Sequence, residues 1–354
     1  MNIIGNKTTR QSGIELLRLI AMLMVLLLHA NFLSFGAPTA EQIHTDTANS
    51  IGRIFLEHLC IVAVNVYVLI SGWFGIKPKV KSITNLIIQV IFYSIVGVVV
   101  AASIDSSHFS KGLLLDFLIV GKPYWFVVSY ILLYIVSPVL NKFVEYEAPQ
   151  IIKLTLLCFF SFEFVYGWLF GQGGFGGGYS TMSFIGLYIL ARYLRIHGGA
   201  ILKYSTKAYA LLYLLMTTIM TSIVSIQLYL FKTTIIGGYL LSYDSPLIIL
   251  SSLFLFLLFE KMNFYSSFIN ACSSSALSIY LIHINPHIWG YFKEGVLSLY
   301  NISPDYYGCL LAFLYLLVIM SICILIDKIR LKLTPMNNLI SIGNIVWNKI
   351  STII

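Results

Sequence analysis

Arg18 and His29 stand inside one apolar run. The segment from Ile14 to Ala30 carries Arg18 near its start and His29 near its end. In a helix this spacing puts both side chains on one face, roughly 16 Å apart along the axis. Ionisable groups within a membrane segment are costly and mark functional positions by default. A neutral imidazole can take a proton from a hydroxyl and return it to a leaving group. Glu57, in the next apolar run, is expected at the depth of His29, where a carboxylate could hold the imidazole's other N–H. The alternative for Glu57 is a wet, uninvolved position at the outer interface.

Further polar residues are sparser. Ser71-Gly72 allows a close helix approach near the depth of Arg18. Lys77, Lys79 and Lys81 follow at once and either set topology or grip an anionic ligand's phosphates. Asn65, Tyr67 and Trp125 are candidate cavity-lining donors, and Glu163 either lines the same cavity or bonds within the bundle. His283 and His287 are four residues apart, so one helix would face them the same way, with Pro286 bending it. They read as bundle histidines with His283 near the cavity, and no third ligand accompanies them, so no metal site is expected. Asp105, Asp116, Asp244 and Asp305 read as solvated residues of outer loops.

The elements that must position these groups are apolar helices. The 354 residues are 58% hydrophobic and 10% charged, with mean hydropathy +0.88. Soluble domains carry about 25% charged residues, so the chain reads as an all-α, polytopic membrane bundle forming a single domain over 1–354. Ten spans are expected near 14–34, 54–75, 83–104, 124–142, 152–170, 181–195, 208–230, 245–260, 274–292 and 306–327. Lys7 and Arg10 ahead of the first run resemble a signal peptide, but its length and its histidine favour a retained helix. With the N-terminus inside, 17 of the 22 basic residues fall inside, Arg330 among them, which predicts N-in and C-in orientation. The net charge of +8 is thus topogenic and excludes a nucleic-acid role. The five cysteines sit in apolar stretches as small buried hydrophobes. Gly112–Val120 is too short to span and reads as a re-entrant piece. The glycine-rich run 171–178 lacks the strand and Lys-Ser/Thr of a phosphate loop; it reads as a flexible turn, with a lid as the alternative.

Arg18-x10-His29, Tyr67-Val-Leu-Ile-Ser71-Gly72-Trp73-Phe74, Tyr124-Trp125-Phe126 with Tyr130, Tyr134 and Ser137-Pro138, and Ser278-Ile279-Tyr280-Leu281-Ile282-His283 together resemble the acyltransferase-3 family. The resemblance covers nearly the whole chain. It departs at Trp73, where Phe is commoner, and at the lysines after the second span, where many members have arginines. It implies a multi-pass protein of the bacterial inner membrane that moves an acyl group, usually acetyl, from cytoplasmic acetyl-CoA to an envelope glycan or lipid-linked saccharide. His29 matches the catalytic histidine and Arg18 the essential arginine. Glu57 is then the orienting partner, with Ser71, Lys77, Lys79 and Lys81 on the donor side. Acetyl-CoA is a co-substrate, and no permanent cofactor is implied. Arg18 lies too far from His29 to share its reacting carbonyl, so it suits the donor's arm or helix packing, paired with Glu15 at i−3. The rival class is a non-enzymatic transporter or flippase of a lipid-linked saccharide.

Overall fold

The computed structural model describes residues 10–104, 124–233, 235–302 and 306–333. Among them every regular element is helical. In chain order these are α1 (Ser12–Ala30), α2 (Ala40–Thr45), α3 (Thr47–Cys60), α4 (Ala63–Phe74), α5 (Val80–Ile104), α6 (Trp125–Tyr146) and α7 (Pro149–Phe162). There follow α8 (Thr181–His197), α9 (Thr206–Phe231), α10 (Ile235–Leu240), α11 (Pro246–Glu260), α12 (Ser267–Ser273), α13 (Ala276–His283), α14 (Trp289–Ile302) and α15 (Tyr306–Leu333). Gly112–Val120, Asp105, Asp116 and Asp305 lie outside the described residues.

Local chemistry sets the helix ends. Ser180, Ser205 and Ser266 cap α8, α9 and α12 by accepting from backbone N–H groups of the first turn. Pro149 and Pro246 occupy first-turn positions, where a missing N–H costs nothing. Gly75 and Gly198 end α4 and α8 with positive φ, a conformation that favours glycine.

Among the described residues, seven helical stretches are long and apolar enough to cross a membrane: 12–35, 47–74, 80–103, 125–146, 149–169, 206–231 and 307–333. The sixth and eighth expected spans are the 17-residue α8 and the 15-residue α11. The ninth is not one helix. α13 stops at His283 and α14 starts at Trp289, so the i,i+4 argument that faced His283 and His287 alike does not hold. The tenth runs past its expected end, and Arg330 is 2% exposed inside the bundle rather than in a loop. Its guanidinium pairs with Asp327 at 2.8 Å, and Tyr93 donates to the same carboxylate at 2.8 Å. Of the cysteines, Cys60 and Cys323 are buried, but Cys158 and Cys309 lie on outward faces.

α1 packs against α3, α4, α12 and α13, with α4 and α8 in an extensive contact beside them. Gly72 makes that contact possible. A Cβ there would lie 2.9 Å from the Tyr188 Cα and closer still to its carbonyl oxygen. Gly72→Ala is therefore expected to destabilise the bundle by about 1–3 kcal/mol. The check is the melting temperature of purified protein; an unchanged value would mean that α8 yields freely.

Candidate active site in a cavity along the first helix

One face of α1 borders a cavity of about 810 Å³. Glu15, Arg18, Met22, Val25, His29 and Phe32 all line it, at the three- and four-residue steps of a single helical stripe. The cavity therefore extends along most of this helix. Arg10, Arg18, Ser71 and Arg330 border one end; His29, Glu57, Tyr179 and Tyr243 border the other.

His29 is partly accessible, whereas His283 behind it is 1% exposed. The His29 Nδ1 lies 2.8 Å from the His283 Nε2, and the His283 Nδ1 lies 2.5 Å from the Ile279 carbonyl oxygen. A carbonyl only accepts, so the His283 Nδ1 carries a proton and its Nε2 is a bare acceptor. The His29 Nδ1 must then donate. This leaves the His29 Nε2 with its lone pair, which is the tautomer of a general base. Trp289 meets the His29 ring edge-on, with centroids 5.6 Å apart. The Ser34 hydroxyl donates to the His29 carbonyl oxygen at 2.7 Å, inside the wider π-helical turn Asn31–Phe35 that continues α1.

That turn also decides where Glu57 points its hydrogen bonds. It brings Asn31 round so that its amide donates to the Glu57 carboxylate at 2.9 Å and to the Arg53 carbonyl oxygen at 2.8 Å. The Arg53 Nε donates back to the Asn31 Oδ1 at 3.1 Å. Glu57 lines the same cavity as His29, but the hydrogen-bond partner of His29 is His283.

At the other end, the buried Nε of Arg18 has no hydrogen-bond acceptor and its guanidinium no acidic partner among the described residues. The expected pairing with Glu15 is not formed, because Ser273 donates to that carboxylate at 2.5 Å. Tyr67 spends its hydroxyl on the Arg18 carbonyl oxygen at 2.5 Å. Ser71 bonds the Tyr67 carbonyl oxygen at 2.9 Å and lies 3.2 Å from the Tyr130 hydroxyl. Lys77, Lys79 and Lys81 are exposed and border no part of the cavity. The cationic groups that line it are Arg10, Arg18 and Arg330, two of which the basic-loop pattern had assigned to topology alone.

The remaining candidates divide. Tyr67 and Trp125 line the cavity. Asn65 does not; its amide is buried and donates to the Tyr243 carbonyl oxygen at 2.8 Å. Glu163 is buried off the cavity, near Ser183 and Asp244. Trp125 lies 4.5 Å from Tyr179 and stacks at 6.0 Å on Tyr243, forming an aromatic collar at the His29 end. The glycine-rich run holds that collar: the Tyr243 N–H donates to the Gly177 carbonyl oxygen at 3.0 Å, and Gly178 lies flush against Tyr243.

This packing also overturns the solvated reading of Asp244, which is 1% exposed between two spans. Burial pushes its carboxyl above its ordinary value, against a hydrogen bond from Ser242. A raised folded-state pKa gives stability that is full below the unfolded value and lost as pH rises through the folded one. The melting temperature of Asp244→Asn, relative to the natural protein, is therefore expected to climb as pH rises above about 4, the ordinary aspartate value. Curves that stay parallel above that pH would place the carboxylate in contact with water.

Comparison with known proteins adds one finding. Residues 11–328 match the acyltransferase-3 family model, described as an acyltransferase domain. No curated protein and no solved structure matches the chain.

Proposed function

The chain belongs to the acyltransferase-3 family, and from that membership we propose a membrane O-acyltransferase that takes an acyl group, acetyl in the first instance, from cytoplasmic acyl-CoA to a hydroxyl of an envelope glycan. The observation that carries this reading is the cavity itself. It joins a guanidinium with no acidic partner among the described residues, at one end of α1, to a histidine whose Nδ1 alone is hydrogen-bonded among them, at the other. A donor with anionic phosphates on a long flexible arm suits such a space, since the roughly 16 Å between Arg18 and His29 is of the order of that arm.

In the proposed reaction the acceptor hydroxyl enters past the Trp125–Tyr179–Tyr243 collar and gives its proton to the His29 Nε2. Its oxygen bonds to the thioester carbonyl carbon. The C–S bond then breaks, and the thiolate leaves with the proton returned by His29. Arg18, with Arg10 and Arg330 at the same mouth, holds the donor phosphates. Guanidinium forks match phosphate oxygens better than ammonium groups do. In the N-in orientation that the basic residues favour, this mouth opens to the cytoplasm of a bacterial inner membrane.

The test is transfer in reconstituted vesicles, with labelled acetyl-CoA on one face and both CoA release and labelled glycan followed. Arg18→Gln is expected to raise the KM for acyl-CoA about 10–100-fold, the cost of one charge-assisted contact. Replacing Lys77, Lys79 and Lys81 together by Gln should change it less than about threefold. Saccharide movement that needs no acyl-CoA would instead identify a transporter.

A further inference from the structure

A second pocket, of about 410 Å³, lies on the far side of α4 from the cavity. α4 turns Ile70 and Ser71 to the cavity and Trp73 to this pocket. Its rim is charged and its floor apolar. Arg195 and Lys261 stand at the rim with Glu260, over Leu194, Leu202 and Leu257.

The polar groups of this pocket are incompletely matched. The Arg195 guanidinium lies over the Trp73 ring, 5.1 Å from its centroid, and its side chain is half exposed. It forms a long, half-exposed ion pair with Glu260, whose nearest oxygen at 3.9 Å is too far for a hydrogen bond. The Lys261 ammonium sits 5.3 Å over the Tyr209 ring and donates to the Tyr204 carbonyl oxygen, leaving two further N–H donors. Trp73 is only 3% exposed, yet its indole N–H has no acceptor among the described residues. A buried donor left unmatched is costly and calls for an explanation. An acceptor oxygen entering the pocket would supply one.

We propose that this pocket binds a phosphate group, held by the Trp73 indole N–H, the Arg195 guanidinium and the Lys261 ammonium, and carried there on an anionic phospholipid. Three donors around one space suit an oxyanion, and phosphate offers acceptors in several directions at once. The space exceeds a bare phosphate, and its leucine floor suits the glycerol and first acyl carbons of a lipid. The pocket lies where α8 and α11 end, beside Lys203 and Lys207, at the basic end of the bundle. Basic pockets between membrane helices at that level bind anionic headgroups.

The experiment uses full-length protein in nanodiscs of phosphatidylcholine, with phosphatidylglycerol titrated in one arm and pyrophosphate in the other. Native mass spectrometry counts retained ligand, and melting temperature reports folding. Selective retention of phosphatidylglycerol is expected, weakened about fivefold by Arg195→Gln or Lys261→Gln. Trp73→Phe, which keeps the ring and loses the N–H, should also weaken retention several-fold while melting normally in phosphatidylcholine. Pyrophosphate bound with the same sensitivity, and no lipid selectivity, would keep the phosphate site but overturn its lipid source. Equal retention of both lipids with no pyrophosphate binding, or retention indifferent to all three substitutions, would overturn the site.

Discussion

His29→Ala is expected to lower acyl transfer about 10²–10⁴-fold, the contribution of a positioned general base, while acyl-CoA binding at the Arg18 end persists. The two ends separate because they share a cavity and no hydrogen bond. Removing the imidazole leaves the His283 Nε2 buried without its donor, at a cost of about 1–3 kcal/mol. A melting curve must therefore accompany the assay, and donor binding shows that the cavity is intact. Added imidazole provides a sharper control. A small base filling the vacated space should restore part of the activity of His29→Ala and none of Arg18→Gln. Transfer by His29→Ala within about threefold of the natural protein, well below the range for a general base, would remove His29 from the mechanism.

The sequence made this site legible as far as helical geometry reaches. Arg18 and His29 fall on one stripe of one helix, so their shared cavity follows from a period of 3.6 residues. The long helices are legible for a similar reason, since bilayer thickness imposes a run length that hydropathy detects. What escaped was fixed by contacts distant in sequence or by single backbone features. That Glu57 shares a cavity with His29 was readable, but the π-helical turn that swings Asn31 onto its carboxylate has no signature in composition. The lysines after α4 stay off the cavity, and the cations that line it are arginines. Gly75 ends that helix with positive φ, and the chain leaves the bundle before Lys77. Arg330 looked topogenic because it falls just beyond the expected end of the last span at 327. The Asp327–Arg330 pair and the Tyr93 hydroxyl instead allow α15 to continue inside the bundle. Hydropathy also passes over the interruption at Asn285-Pro286, because apolar residues flank both sides.

The second large effect concerns His283, the last residue of α13 before that interruption. The Ile279 carbonyl oxygen, one turn back in the same helix, lies 2.5 Å from the His283 Nδ1 and fixes which nitrogen faces His29. His283 contacts no part of the cavity, so it acts through His29 as a positioning residue. His283→Leu fills similar space and removes the acceptor. The His29 ring then rotates more freely and samples the tautomer whose Nε2 bears the proton and cannot act as a base. A wrong tautomer alone can cost about four orders of magnitude in a serine protease triad; here both tautomers stay accessible, and a fall of about 10–100-fold is expected. His283→Gln can offer its carbonyl oxygen to the His29 Nδ1–H and should recover part of that loss. The decisive measurement is the double variant. If His283 works only by orienting His29, then His29→Ala with His283→Leu transfers no more slowly than His29→Ala alone, since residues acting as one unit are not additive. Multiplying losses would show that His283 matters to the bundle independently of the base.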